Sequence, residues 1–260
     1  MRVDPYVIEF GRGPAVVLLH AFPLNASMWA AQREALAADY RVLCPDQRGF
    51  GGTQLGHDDP SLDDVADDVA AMLDARKVET CILGGLSMGG YVAMAFLRRH
   101  ADRVRGLVLA DTKAAADSPE GAANRLRIAE QVVADGDARV LVDEMLPNLL
   151  GTTTRERRAL VSGRVKALVE RAPAYAVAWA QRAMAARPDS FDTLRSVAVP
   201  TLVVVGEEDT LSPPADAAAM AEAVPGARLV TIPGSGHLTA VEAPDEFNAA
   251  LSGFLAAVAP

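Results

Sequence analysis

The feature that most constrains this chain is a repeated order: short, mostly apolar runs, each followed by a helical pattern. Residues 16–19, 41–44, 81–83, 104–109, 201–205 and 228–232 form such runs. They are too short for stable helices and suit strands covered on both faces. Helical patterns follow them. Ser27 is placed to cap one that runs to about Ala38. Ser61 is placed to cap another through Ala75, with Asp63 and Asp64 in its first turn, where the helix dipole favours negative charge. A third follows Ser87 to about His100, a fourth covers 217–224, and a last begins near Pro244. Alternation of this kind predicts an α/β fold with a mostly parallel central sheet and helices on both faces.

The alternation stops from about Ala114 to Arg187, where only helical patterns occur. One covers 120–135 and ends at Gly136; a second starts at Asp137, a third is capped by Thr154, and Pro173 opens a fourth. The expected organisation is a core of 1–113 and 190–260 with a helical cap insertion at 114–189. Open sheets bind ligands at the carboxyl ends of their strands, so the cap is expected over that edge.

Length and charge narrow the function. The chain has 260 residues, half of them hydrophobic, enough for one catalytic domain with an insertion. Its net charge of −9 argues against a nucleic-acid partner, which needs a basic face. No stretch reaches the roughly 18 apolar residues of a membrane span. Residues 1–10 lack the basic and apolar regions of a signal peptide. The two cysteines, Cys44 and Cys81, lie in strand-like runs and read as small buried hydrophobes. A soluble, cytoplasmic protein is expected. The sequence carries no signal for an oligomeric state.

The chemistry centres on Gly85-Leu86-Ser87-Met88-Gly89, which follows an apolar run and opens a helix. This is the G-x-S-x-G pattern in a strand–turn–helix context. Small residues two before and two after the serine let neighbouring backbone approach, and the hydroxyl is pushed above the sheet. A serine needs a base to act as a nucleophile. Of the four histidines, His237 lies between the last strand-like run and the last helix, where folds of this kind hold reactive groups. His57 in an acidic loop and His100 at a helix end read as surface residues. The third member is a carboxylate that orients the imidazole. Asp209 after the run 201–205 is favoured, with Asp111 after 104–109 as a competitor and Glu207 and Glu208 as neighbours. An oxyanion needs donors, and the candidates are the backbone N–H groups of Met88 and Phe22. His20 reads as structural. No His/Cys/Asp cluster has metal-ligand spacing and no glycine-rich stretch has the phosphate-loop pattern, so no metal or cofactor is expected.

Four blocks in order carry a family resemblance: His20-Ala21-Phe22-Pro23, Asp46-Gln47-Arg48-Gly49-Phe50-Gly51, Gly85-Leu86-Ser87-Met88-Gly89-Gly90, and the pair Asp209 and His237. The chain resembles the α/β-hydrolase superfamily over about residues 7–255. Within it, the chain is similar to small bacterial carboxylesterases, to 3-oxoadipate enol-lactonase-like proteins and to cofactor-free haloperoxidases. Serine at position 87 separates it from haloalkane dehalogenases and epoxide hydrolases, which use an aspartate nucleophile. Most relatives have glycine where this chain has Ala21, whose methyl group is expected to narrow the loop or alter its backbone angles. Asp46 and Arg48 are expected to brace loops.

The resemblance implies a hydrolase that cleaves a small ester or lactone through an acyl-enzyme, with Ser87, His237 and Asp209 as the triad. Alternatives are an enol-lactonase, a peracid-forming haloperoxidase, or a slow-turnover ligand receptor. Leu211, Leu238, Leu146 and Trp179 are candidate pocket residues, with Met145, Leu149 and Met184 beside them. Residues 152–187 hold eight positive and two negative charges, which could steer anionic substrates or simply keep the cap helices soluble.

Overall fold

Each run read as a strand pairs into a single sheet in the computed structural model, which describes residues 2–258. The strands are β1 (Val7–Phe10), β2 (Ala15–Leu19), β3 (Arg41–Pro45), β4 (Cys81–Leu86), β5 (Val104–Ala110), β6 (Thr201–Gly206) and β7 (Arg228–Ile232). Their order is β1-β3-β2-β4-β5-β6-β7. All neighbours are parallel except β1, which runs antiparallel to β3 with Val7 opposite Pro45.

The central strands β4 and β6 are buried along their whole length. That is why they read as unbroken apolar runs, and each fully buried Val or Leu contributes about 1.5–3 kcal/mol. The edge strand β1 was not legible. Its Val-Ile-Glu-Phe sequence is only half-buried, and Glu9 pairs with Arg41 at 2.7 Å instead of packing.

Several helix starts differ from the sequence reading. Asn25, not Ser27, is the first cap: its Oδ1 accepts from the Ser27 N–H at 3.0 Å and the Ser27 hydroxyl at 2.6 Å. A short 3-10 turn follows, and the α-helix covers only Ala30–Leu36. Ser61 occupies a cap position but makes no capping bond. Thr154 is buried inside helix Thr152–Arg157, behind Gly151 at its cap. Pro173 precedes helix Ala174–Ala185 rather than lying in its first turn.

Only helices occur between β5 and β6. The longest, Pro119–Asp135, packs against Ala174–Ala185, whose buried side includes Ala176, Ala180 and Ala183. The Ser190 N–H donates to the Ala114 carbonyl at 2.9 Å, so this segment leaves the sheet and returns to it at one place. Among the described residues, no helix is long and apolar enough to cross a membrane.

Strand order decides what meets at the carboxyl edge. β4, β5, β6 and β7 lie side by side. The residues just beyond them are Ser87, Asp111, Asp209 and His237 in turn.

Candidate active site

Ser87 occupies a conformation that a side-chain-bearing residue rarely adopts, φ 55° and ψ −114°. Such a geometry costs on the order of 1–3 kcal/mol and persists only when its surroundings dictate it. Here they do. The Ser87 N–H donates to the Ala110 carbonyl at 2.9 Å, and the Ser87 carbonyl accepts from the Gly90 N–H and the Thr112 hydroxyl, each at 2.9 Å. The flanking glycines are obligatory on contact grounds. A Cβ at Gly85 would lie 2.1 Å from the Gly89 carbonyl oxygen, and one at Gly89 would lie 2.1 Å from that of Leu19.

The turn aims the Ser87 hydroxyl at His237, 2.8 Å from Nε2. The other ring nitrogen, Nδ1, lies 3.0 and 2.9 Å from the two carboxylate oxygens of Asp209. Asp209 is itself oriented, since its Oδ1 accepts from the N–H groups of Leu211 at 2.8 Å and Ser212 at 3.0 Å. A proton on Nδ1 directed at the carboxylate leaves Nε2 free to accept from the serine.

The competing carboxylates are engaged elsewhere. Asp111 is fully buried and, among the described residues, its carboxylate makes no hydrogen bond to His237. Its Oδ1 accepts from the Gly206 N–H at 3.0 Å, and its Oδ2 from the N–H of Thr239 at 3.0 Å and the hydroxyl at 2.5 Å. Burial, then the nearby charge of Asp209, push the Asp111 carboxyl well above its usual range. Glu207 accepts from the Gly234 N–H at 3.0 Å, and Glu208 from the N–H of Thr153 at 2.8 Å. Of the other histidines, His57 is exposed and His100 Nε2 faces Asp67 at 2.8 Å.

Two features here were not legible in the sequence. Thr112, next to Asp111, holds the serine carbonyl. Glu242, five residues after His237, is buried and grips the histidine loop. Its Oε1 accepts from the N–H groups of Gly236 at 3.1 Å and Leu238 at 3.0 Å, while Oε2 accepts from Gly151 at 2.9 Å. The only sequence signal for Glu242 is an acidic residue in the first turn of a short helix after the histidine.

The loop after β2 supplies the other wall. His20 Nδ1 lies 3.0 Å from the Ala21 carbonyl, and Nε2 accepts from the Gln47 N–H at 2.8 Å. Burial lowers the His20 pKa, so the ring is a neutral pin between two loops. Asp46 accepts from the N–H groups of Ala26 at 2.7 Å and Gly52 at 2.8 Å, and Arg48 pairs with buried Asp68 at 2.5 Å. Ala21 is not among the residues with positive φ, so its methyl group imposes no backbone strain. Among the described residues, the N–H groups of Phe22 and Met88 donate to no carbonyl.

A cavity of about 290 Å³ opens above these groups. Phe22, Ser87 and His237 line it together with Leu211, Met145 and Met184. Three expected pocket residues lie outside its wall. Leu238 is fully buried and does not line it. Trp179 turns toward the loop between β3 and helix Leu62–Ala75, donating from Nε1 to the Asp58 carbonyl at 3.2 Å. Leu146, like Leu149, packs against the hydrophobic core. None of the eight cations of 152–187 lines the cavity either. Arg155, Arg157, Arg164, Lys166, Arg171 and Arg182 are exposed to solvent.

A family model described as the alpha/beta hydrolase fold matches residues 14–244. The chain belongs to that family. An esterase from Thermogutta terrifontis, whose structure is described as malate bound, superposes with a TM-score of 0.95 at 41% identity, covering 98% of this chain and 94% of that one. The enol-lactonase from Burkholderia xenovorans LB400 superposes with a TM-score of 0.90 at 29% identity, covering 98% and 97%. A pimeloyl-[acyl-carrier protein] methyl ester esterase of Aeromonas hydrophila is 31% identical over 93% of this chain and 95% of its own length. This alpha/beta hydrolase is therefore similar over 93% to 98% of its length to enzymes named for ester and lactone cleavage.

Proposed function

We propose that this alpha/beta hydrolase cleaves a small carboxylic ester or lactone through an acyl-enzyme, with Ser87 as nucleophile, His237 as general base and Asp209 as the orienting acid. The observation that carries the proposal is the unbroken relay from Ser87 Oγ through His237, 2.8 Å on one side and 2.9 Å on the other, to Asp209. Its opening onto a cavity supports the same reading.

The Ser87 oxygen attacks the substrate carbonyl as His237 Nε2 takes the hydroxyl proton. Negative charge develops on the carbonyl oxygen and meets the N–H groups of Phe22 and Met88. The intermediate collapses, the alcohol oxygen leaves with the proton from His237, and the acyl group remains on Ser87. Water then attacks the acyl-enzyme by the same route in reverse roles. Residues 114–189 act as a cap that shapes the cavity. The relatives' names, methyl ester esterase and enol-lactonase, support an ester or lactone as the small-molecule substrate. Cys44 and Cys81 are free buried thiols, pushed up to about 12 by burial, which suits a reducing cytoplasmic location.

Ser87→Ala tests the assignment. The variant is expected to lose hydrolysis of 4-nitrophenyl butyrate by about 10⁶-fold, as removal of a triad serine does, and to escape labelling by a fluorophosphonate probe. Undiminished hydrolysis in a folded variant would refute it.

A further inference from the structure

Beyond Ser87 and His237, the cavity wall carries Lys113, Asp117 and Arg125. Three cations converge on the Asp117 carboxylate. Arg125 Nε lies 2.5 Å from Oδ2, Arg187 Nη1 and Nη2 lie 2.8 and 2.9 Å from Oδ2 and Oδ1, and Lys113 Nζ lies 3.6 Å from Oδ1. Burial opposes the charge on Asp117, but hydrogen bonds from Arg187 and the charge of Arg125 hold its carboxyl far below the usual range. One negative charge thus faces three positive ones in a half-closed space. Glu144 also lines the cavity, but it is exposed and paired with Arg127.

The three cations are not equally committed. Arg187 is buried, donates also to the carbonyls of Met184 at 2.8 Å and Ala115 at 3.0 Å, and stacks 4.0 Å over the Tyr91 ring. Arg125 gives Nε to Asp117 and Nη1 to Gln181 Oε1 at 3.0 Å, and among the described residues its Nη2 makes no hydrogen bond. Lys113 has the loose pair with Asp117 and, among the described residues, no hydrogen bond. The donors left over belong to the two residues that line the cavity of Ser87. Cations in a partly desolvated wall are stabilised by an anion that completes their pairing.

We infer that Lys113 and Arg125 form a carboxylate subsite, so the substrate is an ester or lactone that bears a carboxylate apart from the carbonyl being cleaved. The inference rests on the proposed role of Ser87. Arg187 and Asp117 are the fixed base of the subsite, and Lys113 and Arg125 are its specificity-determining face.

Two matched substrate pairs test it. One puts the charge in the acyl part, 4-nitrophenyl hemisuccinate against 4-nitrophenyl butyrate. The other puts it in the alcohol part, 4-carboxyphenyl acetate against phenyl acetate. The measured quantity is the ratio of kcat/KM for the charged member to that of the neutral member, at fixed ionic strength. In the arm that matches the natural substrate, Lys113→Met and Arg125→Gln are each expected to lower this ratio about tenfold, mainly through KM, as loss of a charge-assisted bond implies. Arg125→Gln loosens Asp117 and can cost stability. Lys113→Met removes only a 3.6 Å contact, so it keeps the test open if the first variant unfolds. An unchanged ratio for Lys113→Met in both arms overturns the subsite. That failure is separable from failure of the catalytic assignment, which Ser87→Ala reads on the neutral ester alone. A wild type that hydrolyses no member of either pair overturns both.

Discussion

Ser87 is held chiefly by backbone, and His237 by a loop whose own peptide N–H groups grip buried Glu242, whereas Lys113 and Arg125 are held by other side chains. On the first side of the cavity, Gly85 and Gly89 have no room for a Cβ, the Ser87 N–H binds the Ala110 carbonyl, and the N–H groups of Gly236 and Leu238 bind the buried Glu242 carboxylate. On the second side, long flexible side chains are pinned by a shared carboxylate. Geometry set by backbone cannot drift without disturbing the sheet beneath it. Geometry set by side chains can be rewritten by one substitution. In the proposed function, bond cleavage rests on the first kind of support and substrate choice on the second.

The largest effect that can break this contrast concerns the two carboxylates at the sheet edge. Asp209→Asn is expected to lower kcat about 10⁴-fold with little change in KM, because the histidine tautomer is lost. Asp111→Asn should cost far less in kcat and appear mainly in the melting temperature, since Asp111 binds Thr239 and Gly206 rather than His237. A larger kcat loss in Asp111→Asn would put the acid after β5.

A glycine pair sharpens the contrast in stability. Gly89→Ala forces a methyl group to within 2.1 Å of the Leu19 carbonyl oxygen and should destabilise the fold by about 1–3 kcal/mol. Gly163 lies inside helix Ala159–Glu170 with nothing within 4 Å of a Cβ, so Gly163→Ala should stabilise by about 0.5–1 kcal/mol. Thermal or urea unfolding reads both. Equal signs would remove the distinction between a backbone-locked sheet edge and a tolerant helical segment.

The smallest effect concerns the surface charge of the helical segment between β5 and β6. Replacing Arg155, Arg157 and Arg171 together by Gln should change stability by under about 0.5 kcal/mol per site. The salt response of kcat/KM for a carboxylate ester should also stay as in the wild type, because these residues face solvent. A flattened salt response would return the anion preference to long-range steering rather than to Lys113 and Arg125.

Legibility followed the same division. The strands at 81–83 and 201–205 were readable because burial on both faces demands continuous apolar sequence. The Gly85–Gly89 turn was readable because contact distances dictate each glycine. β1 was missed because an edge strand needs only one partner and can carry Glu9. Asp117 and Arg187 are 70 positions apart, and no local pattern announces that they meet. Trp179 is an aromatic residue of the helical block expected over the site, but its indole is spent on the Asp58 carbonyl. The charge-rich stretch 152–187 was conspicuous, but the cations on the cavity wall, Lys113 and Arg125, precede it.

Glu242 ties Gly151, in the helical segment between β5 and β6, to the N–H groups on either side of His237. Cutting out 114–189, or grafting a foreign segment in its place, would leave that carboxylate short of a donor and uncovered. A buried acceptor deprived of its partner costs about 1–3 kcal/mol, and here the strain would fall on the loop that positions the imidazole. The helical segment is consequently a poor candidate for modular exchange. Redesign of substrate range has to work inside it, one side chain at a time.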